Sequence, residues 1–354
     1  MALNIALIFG GRSAEHEVSI RSANTLYHAL KNLGHTIHCI GIDRDGLWHY
    51  QTVDGAFLTA VDCNAPVITL TPGQQTLSYC VAGSASPVQI HPDLLYPALH
   101  GPWGEDGTFQ GLAAMCNLPC VGSPTLGSAI AMDKDVAKRL LRERQIAVAP
   151  WLACSDKMPT WEEVISVLGN AVFVKPAALG SSVGVRKVAS ADEFTVAYAE
   201  AAQLGGKVLL ETEIHGREIE CGVLEVDGML LASEPGEIVT QGNHPFYDYN
   251  AKYEDDNGAQ LLVPAEMPHD IKLRIQGISR AVFRCLELKT LARIDFFLTA
   301  DNRLIVNEAN TLPGFTSISM YPRMFARTGY PLEKLVDTIV QHTLLTQGKT
   351  HAAP

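Results

Sequence analysis

No stretch of the 354-residue chain approaches the roughly 20 consecutive apolar residues that a membrane-spanning helix needs, so the sequence reads as that of a soluble protein. Positive charge is short as well. Lys and Arg number 27 against 38 Asp and Glu, a formal charge of -11, which argues against nucleic acid as the main partner because backbone binding rests on excess Lys and Arg. Any anionic ligand must therefore meet local positive charge or a metal. The eight cysteines contain no C-x-x-C pair; Cys116 and Cys120 come nearest to a cluster, and buried thiols account for them better than a metal site. The N-terminal run LNIALIFGG lacks a positive leading segment and a convincing cleavage site, so a buried strand explains it better than a signal peptide, and a cytoplasmic location follows. Two nucleotide fingerprints are missing too. GGRSAEHE, at the first strand-to-helix turn, does not supply G-x-G-x-x-G, which weakens a nicotinamide dehydrogenase reading. Gly348-Lys349-Thr350 resembles the end of a P-loop, but Thr343 occupies the first glycine position and no strand precedes it.

What is present is an ordinary globular composition, 47% apolar and 18% charged, in a length that suits two or three domains. Residues 3–9 read as a strand, 19–33 as an amphipathic helix stopped by Gly34, and 36–42 as a second strand, which is a βαβ unit. Residues 50–90, rich in Thr, Ser, Gly and Pro, read as short strands and loops. DLLYPALHG restores a strand and GEDGTFQGLAAMCN a loop and helix, with a domain boundary near 123. A helix over 128–144, the strand AVFVKP, the loop LGSSVG and the strand KVLLETEI follow. Hairpin-like strands from Glu218 lead into QGNHPFYDYNAKYEDDNGAQ, a polar stretch with no apolar period. A loop of that length in a compact domain is functional or disordered. A helix over 269–286, the strands LARIDFFLT and RLIVNEAN, and a closing helix complete the chain.

The sharpest local signal is LARIDFFLTADNRLIVNEAN. A two-residue turn at Asp301-Asn302 makes opposed residue numbers sum to 603, so Asp295 faces Glu308 and Arg293 faces Asn310. Side chains two apart share a face, which gathers these four into a polar square while Ile294 and Phe296 point the other way. Opposed carboxylates repel, so something cationic belongs between them. Oxygen donors without nearby His or Cys suit Mg²⁺; a solvated hairpin face with Arg293 neutralising one carboxylate is the alternative. In FVKPAALGSSVGV, Lys175 ends a strand and Gly180–Gly184 offers backbone N–H groups to phosphate, although GSSVG alone also suits a plain hairpin turn. Lys134 in AMDKDVAKR is a second phosphate candidate, or a solvated helix charge.

In their order, AMDKD, FVKPAALGSSVGV, LLETEIHGREIE, YDYNAKY, ARIDFFL and NEANTLPGFTSISMYP resemble the D-alanine:D-alanine ligases of the ATP-grasp superfamily, and FGGRSAEHEVS and HGPWGEDG resemble that family's N-terminal domain. The resemblance spans nearly the whole chain. It implies an α/β and α+β protein with an N-terminal Rossmann-like βαβ domain (1–123) followed by a two-domain ATP-grasp fold, central (124–210) and C-terminal (211–354). It implies two D-alanines joined through a D-alanyl phosphate for peptidoglycan precursor synthesis, with ATP and Mg²⁺ (two ions, Mn²⁺ as substitute) and a homodimeric state. By position, Lys134 and Lys175 hold phosphates, Glu211 and the Glu213-Ile214 backbone read adenine, and Glu218 bonds the ribose. Asp295, Glu308 and Asn310 match the family's metal ligands. Glu15 anchors the first D-alanine's ammonium with Ser181 and Tyr253, and His100 lines that subsite. Ser319 and the Met320 backbone take the second D-alanine's carboxylate. The resemblance further implies that Lys252 reaches from the 241–260 loop, a lid, toward phosphate and substrate, and that Arg293 with the Gly314 N–H stabilises the oxyanion. Lys289-Thr290-Leu291 departs from the small or glycine-containing residues expected before the Arg-x-Asp strand, a change of packing more than chemistry. A D-serine or D-lactate ligase is the alternative substrate reading, and a non-catalytic nucleotide sensor the alternative from another class; YDYNAKY and the intact set of charged residues disfavour them.

Overall fold

A computed structural model describes residues 2–84, 86–240 and 258–348. β1 (Asn4–Gly10), α1 (His16–Asn32) and β2 (Thr36–Ile42) form the expected βαβ start, with the two strands parallel from Asn4 opposite Thr36 to Gly10 opposite Ile42. β3 (Trp48–Gln51) adds antiparallel to β2, and β7 (Leu94–Pro97) adds parallel to β1. Both faces are covered, which is why β1 is apolar throughout rather than alternating. Ile5, Leu7 and Phe9 pack with α1, while Ala6 and Ile8 pack with Phe109 of α2 (Thr108–Met115). The short strands expected over 50–90 are β4 (Ile68–Leu70), β5 (Leu77–Tyr79) and β6 (Val88–Ile90), in a small antiparallel sheet of their own.

The single helix expected over 128–144 is two. α3 (Thr125–Met132) and α4 (Lys134–Glu143) are separated by Asp133, whose backbone is extended (φ -84°, ψ 99°) and whose carboxylate accepts from the Asp135 and Val136 N–H groups as the cap of α4. Asp competes for backbone N–H groups and so favours caps over helix interiors. The break sets Lys134 at the first turn of a new helix. β8 (Trp151–Cys154), α5 (Trp161–Leu168), β9 (Val172–Pro176), β10 (Arg186–Val188), α6 (Ala191–Gly205) and β11 (Val208–Thr212) follow, the strands antiparallel in the order β10-β9-β11-β8 over a core from α5 and α6.

The last sheet is antiparallel and six-stranded: β12 (Arg217–Val226), β13 (Met229–Ala232), β14 (Gly236–Thr240), β15 (Ala259–Leu262), β16 (Leu291–Leu298) and β17 (Leu304–Asn310), with β12 and β16 at its centre. α7 (His269–Cys285) covers its apolar face, where Ile219, Cys221, Ile294 and Phe296 meet Ile271, Ile275 and Phe283. The closing helix is also a pair, α8 (Met320–Arg327) and α9 (Leu332–Gln347). α8 crosses β12 at Gly222, where a Cβ would stand 2.6 Å from Phe325 and 3.0 Å from Tyr321. α9 returns to the first unit: Leu335, Val336, Ile339 and Val340 share the core of Ala23, Leu26 and Leu30. At the noted departure, Thr290 is buried with φ 63°, a glycine-type conformation, and its N–H donates to Glu225 Oε2 at 2.7 Å. Among the described residues no helix is long and apolar enough to cross a membrane. All eight cysteines are free; Cys39, Cys116, Cys120 and Cys221 are buried, whereas Cys63 and Cys80 are exposed, so the buried-thiol reading covers only part of the set.

Candidate active site

Two cavities adjoin. A cleft of about 460 Å³ between the central and the six-stranded sheets is lined by Lys134, Lys175, Glu211, Glu213, Ile214 and Glu218, and also by Arg293, Asp295 and Glu308. A smaller cavity of about 100 Å³ is lined by Glu15, His100, Asn310, Gly314, Ser319 and Met320. Ser181, Glu220, Arg293 and Glu308 line both. Every site residue expected from the sequence therefore borders one connected space, except Lys252 and Tyr253, which lie outside the described residues.

The floor is the β16–β17 hairpin. Arg293 pairs with Asn310 and Asp295 with Glu308, as the hairpin arithmetic expects. The route differs, however. Leu298 pairs with Leu304 and the Thr299 N–H donates to the Arg303 carbonyl, which leaves a three-residue loop, 300–302, with Asn302 left-handed at φ 60°. Opposed numbers near the loop sum to one less than expected, and a bulge after Asp295 adds the missing residue back. Two deviations cancel at the site. β12 extends the polar face, since Glu220 pairs with Asp295. Arg293 donates from Nε to Asp295 Oδ1 (2.8 Å) and from its Nη2 to Oδ2 (2.7 Å), and its Nε lies 3.1 Å from Glu220 Oε2. Burial alone would lower the arginine's pKa, but Asp295 and Glu220 hold it well above its ordinary value. Asn310 Nδ2 donates to Asp295 Oδ2 at 3.0 Å, and Lys134 Nζ lies 3.3 Å from Glu308 Oε2. Among the described residues no three His, Cys, Asp or Glu side chains gather as a complete metal cage. Two opposed carboxylates and one amide oxygen form an incomplete, oxygen-only shell, which fits a hard divalent ion that takes its other ligands from water and phosphate.

The nucleotide end is built on α4, β9 and β11. The Lys134 N–H donates to the Ala177 carbonyl (2.9 Å), and its Nζ donates to the Leu179 carbonyl (2.7 Å), which ties α4 to the Gly-Ser loop. Lys175 on β9 and Lys138 on α4 both pair with the Glu211 carboxylate on β11, one on each oxygen. Burial would raise the Glu211 pKa; the charges of Lys175 and Lys138 reverse this and take it down to about 2. Glu213 pairs its side chain with Lys187 at 2.6 Å, its N–H donates to the Ala171 carbonyl at 3.2 Å, and Ile214 follows it in the cleft lining.

At the substrate end, Ser181 donates its hydroxyl to Glu15 Oε1, joining the Gly-Ser loop to the start of α1 across 166 residues. Ser181 and Ser182 are both left-handed (φ 50° and 59°), strain that a serine sustains only where its surroundings hold it. His100 is engaged on both ring nitrogens, Nδ1 at 3.2 Å from the Leu312 carbonyl and Nε2 at 3.0 Å from Ser22 Oγ. Burial lowers its pKa against the opposing Glu15 charge, which favours the neutral ring. A carbonyl only accepts, so Nδ1 carries the proton and Nε2 accepts from Ser22, which itself accepts the Phe315 N–H. His100 thus anchors the 312–315 segment as well as lining the cavity. In that segment Gly314 passes Ser319 so closely that a Cβ would lie 2.8 Å from its Oγ. Ser319 Oγ accepts the Thr316 N–H at 2.9 Å at the entry to α8.

Three residues escape sequence reasoning. Glu220 was legible in principle, two residues from Glu218 on the same strand face. Lys138 sits one helical turn after Lys134, a spacing also common on solvated faces, yet it is only 1% exposed. Glu105 of HGPWGEDG accepts N–H groups from Gly101 (2.8 Å) and Leu312 (3.2 Å), and burial with the neighbouring Glu15 charge pushes it up to about 8.

Residues 4–123 match the family described as D-ala D-ala ligase N-terminus, and 140–341 the family described as D-ala D-ala ligase C-terminus. A D-alanine–D-alanine ligase A of Pseudomonas putida is 55% identical over 346 residues, 98% of each chain. The structure of the D-alanine-D-alanine ligase from Coxiella burnetii matches with TM-score 0.85 at 32% identity, covering 99% of this chain and 96% of its own. VanG D-Ala:D-Ser ligase from Enterococcus faecalis matches with TM-score 0.83 at 30% identity, covering 97% and 100%. Both halves of the chain, its length and its fold agree, and the chain belongs to the D-alanine–D-alanine ligase family.

Proposed function

We propose that the two adjoining cavities carry out the ATP-driven joining of two D-alanine molecules through an acyl phosphate. Ligation of D-alanine is the activity of the family, and ATP use goes with it. The observation that carries the residue assignment is that Ser181, Glu220, Arg293 and Glu308 line both cavities, so a carboxylate held beside Glu15 meets a phosphate held beside Lys134 and Lys175. Glu15, oriented by Ser181, takes the ammonium of the first D-alanine. That substrate's carboxylate attacks the γ-phosphorus, ADP leaves, and Lys134 and Lys175 offset charge on the phosphates. Mg²⁺, as two ions with Mn²⁺ as a substitute, would be held by Asp295, Glu308 and Asn310 and would supply neutralisation of phosphoryl charge. Glu211 and the Glu213-Ile214 backbone bind adenine, and Glu218 the ribose. The second D-alanine rests its carboxylate on Ser319 Oγ and the Met320 N–H, and its neutral amine attacks the acyl phosphate carbonyl. Donors of the Arg293 guanidinium not engaged by Asp295 and Glu220, with the Gly314 N–H, face the tetrahedral oxygen, and phosphate leaves.

The same reading divides the chain at 123 and 210, places it in the cytoplasm and makes it a homodimer; sedimentation showing only a 38.3 kDa species would remove the dimer. ADP release measured against D-alanine, L-alanine, D-serine and D-lactate tests the substrate assignment. D-alanine with Mg²⁺ is expected to support turnover and yield D-alanyl-D-alanine, while L-alanine does not. Turnover indifferent to chirality would overturn it.

A further inference from the structure

Glu211 is bracketed by two lysines that are not equivalent. Lys175 lines the nucleotide cleft together with Glu211, whereas Lys138 does not reach it. Lys138 is walled in by its own fold: its Nζ lies 3.4 Å from the Ala149 carbonyl and 5.7 Å from the centre of the Trp151 ring, and its side chain is 1% exposed. Lys175 can turn from the Glu211 carboxylate toward a phosphate in the cleft; Lys138 has nowhere to turn. If Lys175 leaves, Glu211 stays buried on β11 with Lys138 as its remaining direct partner, the other cation near the pair being Lys134 on α4. Without Lys138, such a carboxyl would take up a proton rather than stay charged.

We propose that Lys138 is a positioning residue of the nucleotide site, which keeps Glu211 ionised after Lys175 has passed from that carboxylate to a nucleotide phosphate. The proposal rests on the reading of Glu211 as the adenine contact. An ionised carboxylate only accepts, so it receives the 6-amino N–H of adenine and repels the 6-oxo group of guanine; a protonated carboxyl can donate to that oxygen and loses the distinction. Lys138 therefore sets purine selectivity without touching the nucleotide.

The test compares wild type with Lys138→Met, Glu211→Gln and the Lys138→Met/Glu211→Gln double variant. In Lys138→Met the KM for ATP is expected to rise roughly ten- to a hundredfold, the weight of one charge-assisted hydrogen bond, with kcat little changed and the ATP-over-GTP preference reduced by a similar factor. Calorimetric titration with ADP and Mg²⁺ at pH 7, in buffers of different ionisation heat, should show more proton uptake in Lys138→Met than in wild type. A purely structural lysine would not move that quantity. Unchanged KM and proton uptake in a folded Lys138→Met would overturn the proposal. Should that variant not fold, the neutral double variant decides: equality with Glu211→Gln in KM for ATP supports a lysine acting through Glu211, and a much larger KM overturns it. A Glu211→Gln enzyme that still prefers ATP over GTP as wild type does would instead sink the adenine assignment.

Discussion

The two ends of the cleft solve the same problem, burying carboxylates, with opposite charge balances. At the nucleotide end two lysines, Lys138 and Lys175, face one carboxylate, Glu211. On the hairpin floor two cations, Arg293 and Lys134, face three carboxylates, Glu220, Asp295 and Glu308. The first set carries a surplus positive charge and the second a surplus negative one. A phosphate chain lying across both would meet one cation, Lys175, directly at one end and a carboxylate shell suited to a bound cation at the other. A chain that is acidic overall can hold an anionic substrate because local charge, not net charge, decides.

The sharpest way to break this contrast is to remove charge from the floor. Glu308→Gln and Asp295→Asn should each lower ATP turnover on the order of 10²-fold or more, the scale of losing a main electrostatic contact in phosphoryl transfer. Their stabilities should differ. Hairpin repulsion alone suggests that both variants melt no lower than wild type in metal-free buffer. Asp295, however, is the bidentate partner of buried Arg293, so its neutralisation should cost roughly 3 kcal/mol, whereas Glu308 meets Lys134 at the longer distance of 3.3 Å and is not chelated by the guanidinium in that way. Thermal melts of the two purified variants separate the cases. Equal melting points would mean that Glu220 suffices for Arg293.

A smaller effect is expected where the Gly-Ser loop joins the substrate end. Ser181→Ala removes the donor to Glu15 and should raise the KM for D-alanine roughly tenfold. Ser181→Gly loses the same donor while relieving the left-handed backbone at φ 50°, so it should be about 1 kcal/mol more stable than Ser181→Ala. If the alanine variant is as stable as the glycine one, the loop is not strained.

Legibility in the sequence followed the range of the interactions. β1, α1, β2, the 269–285 helix and the final hairpin were readable because apolar runs, strand alternation and helix periodicity are local, and the candidate residues picked out by motif order, where described, line the two cavities. The loop and bulge of that hairpin were not, since loop length and bulge offset each other in the register. The break at Asp133 was missed because an apolar helical period continues across it. Lys138 and Glu105 were missed for a different reason: each is given its role by partners far along the chain, Glu211 for the first and Leu312 for the second.

Glu105 sharpens the comparison through the smallest effect. Glu211, with two lysines, is taken down to about 2, while Glu105, held by two backbone N–H groups and facing Glu15, is pushed up to about 8. Burial acts the same way on both, so the difference lies in the counter-charge. The folded protein keeps the Glu105 proton to about pH 8, whereas the unfolded chain releases it near the ordinary 4.5. Between those values the folded state binds more protons, and this group's contribution, full below the unfolded pKa, is lost as pH rises through the folded one. Glu105→Gln cannot ionise, so the gap in denaturation midpoint between wild type and variant should shift in the variant's favour from pH 5 to pH 8. A gap that stays constant over that range would mean that the Gly101 and Leu312 N–H groups, with the Arg293 charge beyond them, keep Glu105 ionised without a directly paired cation, and that counter-charge is not what separates the two carboxylates.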